Sequence, residues 1–150
     1  MSAYNGQRVG AAAAALGVAE GAFRLAARYV QGRRQFGRPL AAFQGVQWML
    51  ADMHLQLEAA RLLVYRAAAN AGHGFPDMHE TALAKAYAAD MAVQVTNAAL
   101  QLHGAYGYSR DLPLERMVRD ARMFAIGGGT TQMMRNVIAR GIVGRQGEGQ

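Results

Sequence analysis

Three glycines stand directly before two threonines in the stretch MFAIGGGTTQMM, residues 123–134, and a new apolar run follows. Gly127, Gly128 and Gly129 cannot sit together inside a stable helix, because each glycine there costs about 1 kcal/mol relative to alanine. A glycine turn that opens a helix exposes free N–H groups and a partial positive charge to a ligand. That arrangement suits a phosphate, a carboxylate or a polarised carbonyl. Thr130 or Thr131 is placed to cap the helix, with Gln132 close behind. The same residues also serve as a plain corner between two helices. The stretch is not a P-loop, since the Gly-Lys-Ser/Thr sequence is missing.

A second candidate is RRQFGRPL, residues 33–40, where Arg33, Arg34 and Arg38 surround Phe36. Guanidinium forks grip phosphate in two places, and Phe36 offers a face for a flat ring. The alternative is basic charge complementing a helix C-terminus. In MVRDARMF, residues 117–124, Arg119, Asp120 and Arg122 read as a salt-bridge network tying helices together. The four histidines, His54, His73, His79 and His103, form no metal-binding pattern such as H-E-x-x-H. His54 reads as packed or exposed on its helix, and His103 as a cap before a glycine. No serine elbow or catalytic triad can be assembled.

Composition narrows the classes. The chain has 150 residues, enough for one domain with a sizeable core, and a formal charge of +6. Lys85 is its only lysine, so the basic charge is arginine. Arginine enrichment points to a phosphate-bearing partner or to codon bias with solvated side chains. With no cysteine, disulfides, thiolate metal sites and cysteine nucleophiles are excluded. The arginines are scattered over several segments without alternating aromatics, which argues against nucleic acid. No uninterrupted apolar run of 18 residues occurs, so no membrane span is expected. The start MSAYNGQRVG lacks the basic and apolar regions of a secretory signal. The cytoplasm is the expected compartment.

The elements that must position these residues read as helices. The first runs from about residue 4 to 34, with Asn5 as its expected cap. The second runs from about 42 to 71, with Val46, Leu50, Met53, Leu57, Ala60, Val64 and Ala67 spaced by alternating fours and threes. The third starts after Pro76 and reaches about His103, on a seam of Ala84, Ala88, Met91, Val95, Ala98 and Leu102. Gly104, Gly107 and Pro113 break the pattern. A short helix follows over about 114–124, and a last one over about 130–142, before a frayed tail. Long helices joined by short turns predict an all-α fold, an antiparallel four-helix up-and-down bundle with no strands.

Read together, YVQGRRQFGRPLAAFQGVQWMLADM, LEAARLLVYRAA, ALAKAYAADMA, LQLHGAYGYSRDLPLERMVRDARMFAIGGGT and VIAR resemble the acyl-CoA dehydrogenases, in order and spacing, over about residues 7–140. The resemblance reaches only that family's C-terminal helical domain; its N-terminal helical and middle β-domains are not among these 150 residues. It implies FAD bound at domain and subunit boundaries of a dimer or tetramer, homo- or hetero-oligomeric. It also implies an acyl-CoA substrate, with electron-transfer flavoprotein as a candidate partner. By resemblance, Arg33 contacts the FAD pyrophosphate of a neighbouring subunit, with Gln35 and Phe36 beside it. Gln44 lies near the AMP half, and Gln101, Gly104 and Ala105 line the adenosine-diphosphate segment. Thr130 and Gln132 meet the flavin side, and Arg8 matches an arginine near bound CoA.

The chain departs from the family where the reaction is done. Many members carry a glutamate two residues before this threonine, which removes the α-proton of the thioester; here that position is Gly128. Others carry the base next to the arginine that matches Arg8; here that position is Gln7. Three readings follow. A carboxylate from elsewhere serves; the reaction is a base-free variant, such as desulfination of a sulfinyl acyl-CoA; or the chain is a non-catalytic subunit. Asp111 and Glu115 are candidate carboxylates earlier in the same segment, with no geometric reason for either.

Overall fold

Alanine decides how closely the helices approach. The computed structural model describes residues 2–144. Its first helix, α1 (Ser2–Gly32), presents Ala12, Ala15, Ala19, Ala22 and Ala26 to the third, α3 (Met78–His103), which answers with Ala84, Ala88, Ala92 and Ala99. All nine are buried to within 1% of complete. Side chains this small bring the two axes close along their whole length. The two helices run parallel: Asn5 meets Pro76 at one end, and Tyr29 stacks on His103 at the other.

The second helix, α2 (Gln44–Ala69), runs back between them and buries Met53, Leu57, Ala60, Val64 and Ala67. Those are the inner positions of the expected seam; Val46 and Leu50, nearer its start, are half-buried against the same core. On α3, all but one of the expected seam residues are buried, and Ala98 is partly covered. After a four-residue helix, α4 (Ala105–Tyr108), the chain returns along α1 and α3 as α5 (Leu114–Phe124). The last helix, α6 (Thr131–Val143), packs chiefly on α3, through Met134, Val137 and Ile138 against Ala82 and Ala86. The fold is all-α as expected. The fourth place in the up-and-down bundle is filled by the 11-residue α5, and α6 lies outside it.

Two local expectations are corrected, and one cap is added. Asn5 does not cap α1; it lies inside that helix, 8% exposed, and donates through Nδ2 to the Pro76 carbonyl at 3.1 Å. The cap that the sequence reading missed is Asp77, which accepts from the N–H groups of His79 and Glu80 at the start of α3. Strands also exist: β1 (Arg34–Gln35) and β2 (Arg38–Pro39) pair antiparallel as a minimal hairpin between α1 and α2. Two-residue strands carry no periodicity from which to read them. Most of the tail expected to fray, residues 145–150, lies outside the described residues. α1 is long and apolar enough by length and composition to cross a membrane, but its alanine face is committed to α3.

Candidate functional site

The candidate residues fall into two groups at opposite ends of α1. Arg8 and Arg33 are 25 positions apart on or just beyond one helix, a span of about 37 Å at 1.5 Å per residue.

At the hairpin end, Gln35, Phe36, Gly37 and Arg38 form a tight turn. Phe36 sits at φ +51° and Gly37 at φ +78°. A phenylalanine in the left-handed region is costly, and here the cost is met by Arg34 donating to the Gly37 carbonyl at 2.8 Å and by an edge-on contact of Phe36 with Phe43. The ring of Phe36 is 91% exposed, an apolar face held out toward solvent. Arg38 stacks over Phe43 at 3.9 Å, and Gln44 opens α2 just beyond.

Arg33 is exposed and lies over the Tyr106 ring at 5.9 Å, which joins the hairpin to α4. Between them is a cavity of about 550 Å³ lined by Arg28, Tyr29, Arg33, Tyr106 and Asp111. Gln101, Gly104 and Ala105 close this end. Gly104 turns at φ +59°, and Gly107 lets α4 lie on α3, since a Cβ there would stand 2.5 Å from the Leu100 carbonyl oxygen. His103 is not a cap: it is 5% exposed, stacked on Tyr29 at 4.2 Å and hydrogen-bonded to the Ala99 carbonyl at 2.8 Å.

At the other end, Gly128 and Gly129 take φ +70° and +102°. Thr130 caps α6, its hydroxyl accepting from the Met133 N–H at 3.2 Å, while Thr131 is buried and Gln132 exposed. The turn's carbonyls are taken by cations. Arg8 Nε donates to the Gly128 oxygen at 3.0 Å. Lys85 Nζ, on α3, donates to the oxygens of Phe124 at 2.7 Å and Gly129 at 2.5 Å. Lys85 is 1% exposed. Burial and the neighbouring Arg8 guanidinium push its pKa below the ordinary lysine value, and Asp90 opposes the shift. Among the described residues, the turn's backbone donors are Ile126, Gly127 and Thr131, which leaves the N–H groups of Gly128, Gly129 and Thr130 free to meet a ligand.

Sequence reasoning missed Lys85. The available signal was a lone lysine within an alanine seam, one turn after Thr81 and just before Ala88. The two candidate carboxylates are elsewhere: Asp111 accepts from the Ser109 hydroxyl and Glu115 pairs with Arg119, both at the far end of α5 from the turn, while Asp120, nearer in sequence, is approached by Arg116. The expected interhelical network at Arg119, Asp120 and Arg122 is also corrected. Arg119 pairs with Glu115 and Arg116 approaches Asp120, one turn apart within α5. Ion pairs that do join helices are Glu20 with Arg61, Arg66 with Glu80 and Asp90 with Arg135.

Residues 1–143 match the model of the acyl-CoA dehydrogenase C-terminal domain. This chain belongs to the acyl-CoA dehydrogenase family. It is 62% identical over 146 residues to 3-sulfinopropanoyl-CoA desulfinase of Paraburkholderia xenovorans, covering 97% of this chain and 37% of that protein. Against the short-chain-specific acyl-CoA dehydrogenase of Clostridium acetobutylicum it is 49% identical over 139 residues, covering 93% and 37%. Butyryl-CoA dehydrogenase from Megasphaera elsdenii superimposes with a TM-score of 0.91 at 44% identity, again over 93% of this chain and 37% of that one. The chain therefore spans little more than a third of the length of these relatives.

FAD is the cofactor of the acyl-CoA dehydrogenase family. The residues present fit such a group. At one end are an exposed guanidinium without a carboxylate partner among the described residues and a projecting aromatic face. At the other is an open glycine turn with free amides.

Proposed function

We propose that this chain is the cofactor-holding, subunit-joining helical domain of a flavoprotein that removes the sulfinate group from a sulfinyl acyl-CoA. The carrying observation is an intact acyl-CoA dehydrogenase framework that has no carboxylate at either base position. Gln7, on α1, and Gly128, on a turn whose two neighbouring cations are already bound to its carbonyls, stand there instead, both exposed. The 62% identity to a protein named as a 3-sulfinopropanoyl-CoA desulfinase supports the reading.

The net chemistry suits a site without a base. The C–S bond breaks with its electron pair on carbon, carbon takes a proton, and the released sulfur dioxide takes up water to become sulfite. Both α-hydrogens remain in the product, so no glutamate need remove one. The free amides of Gly128, Gly129 and Thr130 would hold the thioester carbonyl, with α6 adding its positive N-terminal end. Arg33, Gln35 and Phe36 would take the pyrophosphate region of FAD, and Gln44, Gln101, Gly104 and Ala105 the adenosine part. Thr130 and Gln132 would meet the flavin, and Arg8 would stand near the CoA chain. When bound, FAD supplies a two-electron acceptor beside the acyl group.

A span of about 37 Å between the groups exceeds one extended dinucleotide. That supports a cofactor shared between protomers, each giving one end. A second reading, α,β-dehydrogenation with a carboxylate from outside this chain, draws on the 49% identity to a short-chain dehydrogenase. The assembled flavoprotein that contains this chain decides between them. With 3-sulfinopropanoyl-CoA it should release one sulfite per substrate, and with butyryl-CoA it should not reduce an electron-accepting dye. Dye reduction by butyryl-CoA with no sulfite released would replace the first reading by the second.

A further inference from the structure

We propose that Lys85 is a positioning residue for the reaction: its buried ammonium, with Arg8, clamps the glycine turn by its carbonyls so that the amides of Gly129 and Thr130 face the acyl group. The inference rests on the reading above for what the turn binds.

The geometry is specific to this pair. Lys85 reaches from α3 to two carbonyls five positions apart in sequence, the C-terminal end of α5 (Phe124) and the last turn residue (Gly129). Arg8 reaches from α1 to the carbonyl of the adjoining residue, Gly128. The two glycines, at positive φ and with no Cβ, have no side-chain packing to hold them. Three carbonyl contacts from two rigid, parallel helices take the place of that packing. In a trans peptide the N–H points opposite the C=O. Fixing the oxygens of Gly128 and Gly129 inward therefore fixes the N–H groups of Gly129 and Thr130 outward. A cation on each oxygen also polarises the same peptide unit and strengthens its N–H as a donor. A core plug of equal volume would do neither.

The test compares Lys85→Met and Lys85→Arg with the parent in the assembled flavoprotein, using whichever acyl-CoA the parent turns over. Amide hydrogen exchange over residues 125–131, FAD occupancy and steady-state kinetics are read together. Lys85→Met should speed exchange in that segment at least tenfold while exchange in α2 is unchanged. It should lower kcat at least tenfold per bound FAD, with KM changed less than threefold. Lys85→Arg should recover part of kcat. Should Lys85→Met fail to give folded protein, Lys85→Gln, which keeps one donor, is read by the same criteria. Unchanged exchange in the turn, or a kcat that falls only in step with FAD occupancy, overturns the proposal. Because exchange is measured without turnover, a parent that dehydrogenates instead of releasing sulfite would refute the reaction assigned above and leave this result standing.

Discussion

Gly128 has open space around it and a backbone at φ +70°, so a side chain there would meet no neighbour but would sit in a left-handed conformation. That conformation costs a non-glycine residue about 1 kcal/mol. Gly128→Glu is therefore expected to fold, slightly destabilised, and to place a carboxylate beside the bound thioester. The expected outcome is faster exchange of the α-protons of propanoyl-CoA with deuterated solvent, followed by NMR. No gain in exchange would mean that the thioester is not held at this turn. At this scale the sequence was readable where glycine imposes geometry, as at Gly104, Gly128 and Gly129. It was silent where a side chain works through a contact distant in the chain. Lys85 and Gly129 are 44 residues apart, and nothing in either neighbourhood announces the other.

Among the elements, α3 depends most on its first residue, because it alone packs against α1, α2, α5 and α6. Asp77 caps it, and the N–H groups of Glu80 and His79 hold that carboxyl below the ordinary aspartate value. Asp77→Ala should cost about 1 kcal/mol, lowering Tm by about 2–4 °C for a chain of this size. The folded-state pKa is depressed, so the cap's contribution is complete above the unfolded value of 3.8 and fades as pH falls through the lower folded value. Thermal melts should show the gap between parent and variant close below pH 3.8. A gap that persists there would mean the carboxylate's charge is not what stabilises the start of α3. The seams of α2 and α3 were legible because their inward positions repeat with the helical period over 26 residues each. Asp77 was missed because Pro76 drew attention as the breaker while the residue after it supplied the cap. Asn5 was misread because a capping residue type inside a helix looks, in sequence, like one at its edge.

Across the whole molecule, the two groups of candidate cofactor residues are the test of sharing. Arg33→Ala protomers should retain less FAD, and so should protomers carrying Thr130→Ala with Gln132→Ala. Co-expressed as mixed dimers, they should regain about half the parent's FAD, since one of the two shared sites then has both intact ends. Absorbance of the purified hybrid gives the occupancy. A hybrid as empty as either parent variant would place both groups in one protomer's own pocket. The all-α class was visible in the sequence, and the resemblance already assigned Arg33 to the cofactor of a neighbouring subunit. The distance between Arg33 and Thr130 is plain only once α1 is laid out at its full length.

That length has a consequence of its own. A single unbroken helix, α1, sets the interval between the glycine turn and the hairpin, with no loop in between to absorb a change. Inserting or deleting one residue within it would rotate Arg33 by about 100° about the axis and slide it by about 1.5 Å. The alanine face would leave α3 at the same stroke. Substitutions can accumulate on the exposed side of α1, but its residue count must be inherited unchanged, like the pitch of a thread that has to fit another of its kind.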